Sequence, residues 1–561
     1  GLASLWAGSG AKYSWKGVWN CATKINVKGD RDHEIYWYTG LDGSRILMKW
    51  YSMYGPNAEL GGYSEMLEPT LAVQQMDELC DSDRYPYRIA GAFSKGWDNA
   101  RNFSIDVHAL AKHRALPGTQ VILSNEMDFF HDFESTYGDQ LPSESLSYGN
   151  EWDLYPATLP GATAQVRRSL EKLRNAEAMA ALVDRSHPGK YHDLDPHKED
   201  FYYGLSVYGL HGWTADGPWI SRDQFAGWAR EQQRKVTRYV DQLHARSRND
   251  LGTLIPGKKR KDRYFIFNSL SFSRSGIVRL EGLPDGDGIL RNLDTDLAHQ
   301  VYRDGENTGA AAYILAEEIP EAGYQVFEWE EYEPLVAVEP PFRVAGNEVE
   351  TPFYRVSLDP DGAITSLIEK KTGREWSGAV LNRIGPGTME KSAEIPYQVS
   401  DSPEGKMTVE ERNPEVLRLR FESDEPVRHT TRISFYAGNP RIEVDHLIRE
   451  NFHEPLYVTF DFNVDLPTVW HEEVGAVIKA KLHSGGGHYA EAKARYDHLS
   501  FNHFLWVGSR NGGMMLSNAD CPFFKLGESE PAFLDESSST IHALIGGMVD
   551  DQRGIHNAGG D

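Results

Sequence analysis

Apolar and polar positions alternate in short runs over the first 140 residues, and the pattern predicts strands that alternate with helices. Strand-like runs occupy residues 46–51, 87–93 and 119–124. Helix-like stretches occupy residues 68–80 and 104–115. Such alternation is typical of βαβ units on a parallel sheet. Ligands of parallel sheets bind beyond the carboxyl ends of the strands, so we expect the residues after position 124 at the mouth of the sheet.

Two later segments, residues 159–183 and 221–243, have the period of amphipathic helices. The apolar face of the first segment consists of Val166, Leu170, Leu173, Ala176, Ala180 and Val183. That of the second segment consists of Phe225, Trp228, Val236, Tyr239 and Leu243. Ser221 and Gln224 have the spacing of a capping box at the start of the second helix. The two segments predict a small helical bundle.

A basic linker at residues 253–264 precedes sequence that is rich in short strands up to its end. Between two of these strands, Asp359-Pro360-Asp361-Gly362 matches the turn of a hairpin, because proline presets φ and glycine accepts a positive φ. The chain is therefore predicted to be multidomain, with an α/β part, an all-α part and an all-β part of antiparallel sandwich type.

Charge and composition exclude some classes of partner. The chain has 561 residues and a formal net charge of −25. This charge argues against nucleic acid and against an anionic membrane surface, since both need a cationic partner. Three scattered cysteines signal neither a disulfide framework nor a thiolate zinc site, and they favour a reducing, cytoplasmic compartment. No apolar run reaches the roughly 20 residues of a membrane span.

The stretch VILSNEMDFFHDFE at residues 121–134 is the first candidate site. If the segment is extended, Glu126 and Asp128 point to the same side, and their proximity raises the pKa of one of them. A carboxyl group of that kind acts as a general acid at neutral pH. The alternative is a solvated or helix-capping acid cluster, and the spacing alone favours this alternative because acid pairs after strands are common.

The segment GLHGWTADGPW at residues 209–219 is the second candidate. Imidazole is a common metal ligand, but a zinc site needs three or four protein ligands, so His211 alone also fits a hydrogen-bonded turn histidine. The first 100 residues are rich in tryptophan and tyrosine. Aromatic faces stack on sugar rings, but we expect core packing to account for most of these side chains.

In chain order, several blocks resemble the glycoside hydrolase family 38 α-mannosidases, especially bacterial members. Among them are YSWKGVWNCATK, SNEMDFFHDFESTYGDQLPS, LHGWTADGP and the strand-rich sequence from residue 343 onward. The resemblance implies a partial (β/α) catalytic barrel, a three-helix-type bundle and antiparallel β-sandwich domains. The implied limits are 1–145 for the barrel portion, 146–252 for the bundle, 253–340 for a small β domain and 341–561 for the C-terminal sandwich.

The resemblance also implies a metal-dependent retaining α-mannosidase that acts on mannose-containing oligosaccharides. A second copy of the chain, in a homo-oligomer, is a separate expectation for its partners. Asp128 matches the acid/base aspartate of the family, with Glu126 as the second choice. His211 matches a ligand of the divalent metal, most often Zn²⁺, and Asp216 and Trp213 are the expected substrate contacts.

The chain departs from the family pattern at two places. Gly212 stands where family members often carry an aspartate that touches the sugar. The His-x-Asp metal pair and the nucleophilic aspartate of the family precede the block that begins at Gly1, so we expect this chain to be a fragment that is inactive alone. Two alternatives stay open: a non-catalytic carbohydrate-binding or scaffold protein, and a glycosidase with altered sugar specificity.

Overall fold

The computed structural model describes residues 1–16, 33–50, 69–83, 85–91, 109, 117–149, 152–209, 222–256, 262–286, 288–301, 312–332, 338–386, 405–452, 454–491 and 494–547. The chain divides into two compact units. The first unit contains Gly1–Leu154, Asp465–Asn518 and Pro522–Ser539, and the second contains Tyr155–Val464, Ala519–Cys521 and Thr540–Asp561. The first unit is thus built from segments that are distant in sequence.

The N-terminal part of the first unit is a small sheet with helices around it. Its described elements are α1 (Leu2–Gly8), β1 (Tyr13–Lys16), β2 (Ile35–Thr39), β3 (Arg45–Trp50), α2 (Pro69–Cys80), α3 (Glu126–Tyr137) and β4 (Ser143–Glu144). The strand order is β1-β3-β2-β4. β1 pairs parallel with β3 and β4 pairs parallel with β2, whereas β2 and β3 form an antiparallel hairpin.

The sheet is therefore mixed, and the predicted all-parallel arrangement is wrong for the described strands. The reason is the short turn between β2 and β3, where Gly43 has a φ of 82° and the side chain of Asp42 accepts hydrogen bonds from Ser44. An Asp-Gly pair between two apolar runs is a hairpin signal, and a hairpin makes its two strands antiparallel. The predicted strand at residues 46–51 and the predicted helix at 68–80 are confirmed by β3 and α2.

Three long helices open the second unit: α4 (Pro160–Ser186), α5 (Asp195–Tyr208) and α6 (Arg222–Leu254). Helices α4 and α5 each pack against α6. The predicted amphipathic faces are confirmed, since Val166, Ala176 and Val183 of α4 and Val236 of α6 are buried. The predicted bundle as a whole stays a prediction, because residues 210–221 lie outside the described part of the chain.

The next segment forms two antiparallel sheets. Its strands are β5 (Arg263–Asn268), β6 (Arg274–Leu280), β7 (Gly288–Asn292), β8 (Ala298–Gln300), β9 (Ala312–Ile319) and β10 (Gly323–Glu331). The strand orders are β5-β10-β7-β8 and β6-β9. A shared core that includes Leu290, Ile314 and Phe327 lies between these strands.

Further along the second unit, two larger antiparallel sheets follow. Their strands are β11 (Arg343–Ala345), β12 (Glu348–Glu350), β13 (Tyr354–Leu358), β14 (Ile364–Glu369), β15 (Ser377–Pro386), β16 (Lys406–Arg412), β17 (Val416–Ser423), β18 (His429–Tyr436), β19 (Ile442–Ile448) and β20 (Leu456–Phe462). β11 to β15 lie in sequence order with β20 next to β15, and β16 to β19 form the other sheet. The predicted hairpin is confirmed, because residues 359–362 connect the antiparallel strands β13 and β14.

The chain then returns to the first unit. It adds β21 (Thr468–Glu473), β22 (Ala476–Lys479), β23 (Leu499–Ser500), β24 (Phe504–Ser509), β25 (Gly512–Ser517) and β26 (Phe523–Leu526), and finally β27 (Thr540–Gly546) of the second unit, which pairs with β20. Ser147 ties the two parts of the first unit together. Its hydroxyl donates to Glu473 Oε1 at 2.6 Å, and its amide donates to the carbonyl of His488 at 2.7 Å.

His471 is completely buried in the core of the first unit. Its Nδ1 lies 2.8 Å from the Ser500 carbonyl and its Nε2 lies 3.2 Å from the Tyr489 hydroxyl. A carbonyl only accepts, so Nδ1 carries the proton and Nε2 accepts from Tyr489. Burial lowers the pKa of His471 to about 4.

None of the helices within the described ranges is long and apolar enough to cross a membrane.

Gly362→Ala should destabilise the second unit more than Gly346→Ala. Both glycines have a positive φ, 92° and 60°, but an added Cβ at Gly362 meets the ring of Phe421 at 2.9 Å, whereas the space around Gly346 is open. We expect losses of about 2–4 kcal/mol and about 1–2 kcal/mol respectively. Thermal unfolding of the two variants measures the difference, and equal losses would contradict a constraint from Phe421.

The buried His471 should make the protein sensitive to mild acid. Between pH 6.5 and 4 this histidine takes up a proton in the unfolded chain but not in the folded chain, so stability falls as the pH falls, and His471 contributes about 3 kcal/mol to this loss. His471→Asn keeps an N–H donor for Ser500 but does not titrate, so its unfolding temperature should fall less steeply over this range. His192→Asn, at an exposed histidine, is the control and should keep the slope of the parent.

Candidate active site

The carboxylates of the first candidate site lie in the first turn of α3. Residues 119–124 form no strand, and α3 begins at Glu126 with Asn125 as its N-cap. Side chains two residues apart on a helix point to different sides. The expectation that Glu126 and Asp128 share one side of an extended segment is therefore wrong. The strand expected at residues 87–93 is also wrong for its described residues, 87–91.

The start of α3 is fixed by the side chains that surround Asp128. The Asp128 amide donates to Asn125 Oδ1 at 3.0 Å, while Asn125 Nδ2 donates back to Asp128 Oδ2 at 3.1 Å. The Ser124 hydroxyl donates to the same carboxylate oxygen. The Asn125 side chain thus satisfies one orphan donor of the helix start, the Asp128 amide, and the two side-chain hydrogen bonds hold the Asp128 carboxylate in one orientation.

The fixed carboxylate is open to solvent. Asp128 and Glu126 are both exposed, and so are the neighbouring apolar side chains of Ile122, Leu123 and Met127. A surface with carboxylates beside apolar side chains can bind a ligand that has both hydroxyl groups and apolar C–H groups. The helix-capping alternative describes the local structure of Asp128 correctly, and it does not exclude a catalytic role for this side chain.

The opposite side of α3 is anchored to the sheet by aromatic contacts. The ring of Tyr13 stacks on that of Phe130 with centroids 4.8 Å apart, and Trp15 contacts Phe129 at 4.9 Å. The Tyr13 hydroxyl donates to Glu134 Oε2 at 2.6 Å. Burial, together with this hydrogen bond, raises the pKa of Tyr13 to about 12. The contacts fix the helix, and through the helix they fix the position of Asp128.

The described aromatic side chains of the first 100 residues belong to two hydrophobic clusters, one that contains Phe130 of α3 and one that contains Tyr36 and Trp50. Tyr36 and Trp50 are almost completely inaccessible, and Trp37 donates its indole N–H to the Gly138 carbonyl at 2.9 Å. The expected role in core packing is confirmed for these three residues.

Lys49 is a buried charge that the sequence reasoning missed. It is fully buried, its Nζ donates to the Trp50 carbonyl at 2.7 Å, and Nζ lies 4.5 Å from the centroid of the Trp15 ring. Glu34, at the start of the adjacent β2, is also buried. The available signal was a lysine flanked on both sides by large apolar residues in the middle of a predicted strand.

The second candidate site lies outside the described residues. His211, Trp213 and Asp216 all fall in the gap between residues 209 and 222. Within the described ranges, no group of three or more His, Cys, Asp or Glu side chains is placed to hold a metal ion. The predicted roles of these three residues, and of Zn²⁺, stay predictions.

Comparison with known proteins identifies the fold. No protein-family model matches the chain, and no curated protein matches its sequence. An α-mannosidase structure from Enterococcus faecalis V583 matches with a TM-score of 0.66 and 13% identity over 100% of this chain and 70% of that protein. The chain has this fold.

A second structure, a glycosyl hydrolase family 38 protein from Enterococcus faecalis, matches with a TM-score of 0.58 and 15% identity. The alignment covers 91% of this chain and 65% of that protein. The resemblance to family 38 α-mannosidases is thus confirmed at the level of the fold, and the chain spans about two thirds of the length of these structures.

Asn125→Ala should loosen the first turn of α3. It removes both the acceptor for the Asp128 amide and the donor to the Asp128 carboxylate, and loss of such a cap costs about 1 kcal/mol. Hydrogen exchange of the α3 amides should become faster at residue 128. Asn125→Ser keeps an acceptor for this amide and is the matched control. Equal protection in the alanine variant would show that the cap does not hold the turn.

Proposed function

We propose that this chain is part of a metal-dependent retaining α-mannosidase that hydrolyses α-mannosidic bonds in oligosaccharides or glycans. The observation that carries the proposal is the match of the whole chain to a solved α-mannosidase structure. The ordered sequence blocks that resemble family 38 support the same conclusion, since they include the segment around Asp128.

Asp128 is our candidate for the acid/base group. A retaining glycosidase needs a carboxyl group that protonates the leaving oxygen and later activates water, while a second carboxylate attacks the sugar. Asp128 is exposed, so a substrate can reach it, and its hydrogen bonds with Ser124 and Asn125 orient it. Glu126 is the second choice, although it lies on another side of the same helix turn.

The metal is proposed on the resemblance alone. His211 would supply one nitrogen ligand, and a bound divalent ion would act as a Lewis acid that orients the sugar hydroxyls. His211 lies outside the described residues, so we assign no catalytic step to the ion. Substrate contacts from Asp216 and Trp213 belong to the same part of the proposal.

Gly212 favours a second candidate function. The position lacks the aspartate that touches the sugar in many family members, so a glycosidase with altered sugar specificity is the alternative. Activity on aryl α-glycosides other than mannosides would distinguish it from the first proposal.

Asp128→Asn should lower the hydrolysis of an aryl α-mannoside with a poor leaving group by about 100-fold or more, because general acid catalysis contributes effects of this size. An activated leaving group needs less protonation, so kcat/KM of the same variant should fall much less on a dinitrophenyl α-mannoside, whereas kcat still falls because Asp128 also activates water in the second step. Glu126→Gln is the matched control and should stay within about threefold of the parent on both substrates. The full-length protein is the one to test.

Equal losses on both substrates would contradict an acid role for Asp128. A folded full-length parent without activity on either mannoside would overturn the α-mannosidase proposal itself.

His211→Ala should lower the metal content of the full-length protein, measured by elemental analysis after dialysis, whereas Asp128→Asn should keep it. Removing an imidazole ligand weakens a transition-metal site directly. A parent without bound metal would overturn the metal part of the proposal and leave the fold assignment intact.

A further inference from the structure

The sheet with strand order β22-β21-β24-β25 in the first unit has two different faces. Its inner face is buried and mostly apolar, with Val469, Leu505 and Val507 beside the neutral His471. Since side chains alternate along a strand, the residues between them point to the outer face. These residues include Trp470 and Trp506, which are directly opposite each other on β21 and β24.

The indole of Trp506 lies against the sheet. Gly508 and Gly513 are paired neighbours on β24 and β25. An added Cβ at Gly508 would meet Trp506 Cζ2 at 2.2 Å, and one at Gly513 would meet Trp506 Cε2 at 2.5 Å. The ring therefore fills the space above both glycines, and only residues without a side chain permit this position. One ring face covers the backbone, and the other points away from it.

The surroundings of the two tryptophans combine exposed apolar groups with polar groups. Met515, the cross-strand partner of Trp506, is 66% exposed, and Val477 on β22 is 41% exposed. Lys479 Nζ lies 5.4 Å from the centroid of the Trp470 ring. Beside this patch, His503 Nδ1 and Glu472 Oε2 are 2.8 Å apart. We call Trp470, Trp506, Met515, Val477 and Lys479 the outer platform.

We propose that the outer platform binds a neutral polysaccharide chain by stacking a pyranose ring on Trp506. A ring that lies on a sheet presents a flat apolar face with polar groups at its edge, and a pyranose has the matching form: a face of C–H groups and a rim of hydroxyls. Tryptophans that anchor protein partners insert into pockets of the partner. The Trp506 ring lies against its own sheet and cannot insert in this way.

The choice of an α-mannan as the polysaccharide rests on the proposed function. A platform of this kind keeps a polymeric substrate close to the enzyme without taking part in the bond cleavage. It therefore predicts a separation of effects: loss of polymer binding with normal hydrolysis of a small substrate.

Affinity electrophoresis in gels that contain soluble α-mannan tests the proposal. The full-length protein carrying Asp128→Asn, which prevents digestion of the gel, should be retarded relative to a gel without polysaccharide. Adding Trp506→Ala should weaken the apparent affinity by about tenfold or more. Adding Gly513→Ala, which keeps the indole but forces it off the sheet, should also weaken the apparent affinity.

Phe272→Ala, at an aromatic side chain that is 60% exposed in the second unit, is the matched control and should leave the apparent affinity for α-mannan unchanged.

In the protein that retains Asp128, Trp506→Ala should leave kcat/KM for the aryl α-mannoside unchanged. The unfolding temperature of this variant shows whether it is folded. Retardation that persists in both the Trp506 and the Gly513 variants, or its absence in the parent, overturns the platform. A change in oligomeric state of Trp506→Ala without a change in retardation would instead identify the face as a contact between copies of the chain. Failure of the α-mannosidase proposal is scored separately, by the absence of aryl mannoside hydrolysis.

Discussion

The stacked contact between Tyr13 and Phe130 is the interaction on which the candidate site depends. It joins the strand β1 to the helix α3, and the hydrogen bond from Tyr13 to Glu134 restricts the rotation of the helix about its axis. Since Asp128 lies on the same helix, two residues before Phe130, its position follows from how the aromatic rings pack. The position of the Asp128 carboxylate is thus set by apolar contacts on the opposite side of the helix.

Much of the fold follows from sequence patterns, and the helices α4 and α6 illustrate why. Each is long and repeats its apolar positions over many turns, so the helical period is clear. The turn at residues 359–362 was predictable for a different reason, since Pro360 and Gly362 restrict the backbone directly. The helix α5 was not predicted. Tyr202 and Tyr203 are large aromatic residues on its exposed surface, so its sequence lacks a clear separation of apolar and polar positions.

The candidate site was harder to predict. The apolar run before Asn125 has the composition of a strand, but it pairs with none of the described strands, and the cap formed by Asn125 and Asp128 decides the structure after it. Sequence spacing does not reveal which of these contacts forms. It does mark Asp128 as a candidate, because the acidic motif at residues 121–134 is visible in the sequence alone. The platform around Trp506 depends on the pairing of β24 with β25, so it could not be found without the register of the sheet.

Buried polar groups in the first unit show how the interior accommodates charge. Arg495 donates two hydrogen bonds to Asp497, at 2.7 and 2.9 Å, and both side chains are buried. Burial alone would raise the pKa of Asp497, but the hydrogen bonds and charges of His498 and Arg495 outweigh it and lower this pKa. His471 is accommodated in the opposite way, as a neutral ring. Because Tyr148 accepts the amide hydrogen of Arg495 through its carbonyl, the paired charges adjoin the N-terminal segment.

The division of the first unit between distant segments has a consequence for synthesis on the ribosome. Residues up to Leu154 emerge early, but the strands that complete their unit begin after Asp465. Domains otherwise fold as their residues emerge. Here the early segment cannot complete its unit while most of the second unit is translated, so part of its apolar surface stays exposed during that time. The nascent chain therefore passes through a stage at which chaperones have a surface to bind, and this stage ends when residues near Ser147 meet β21 and the loop around His488.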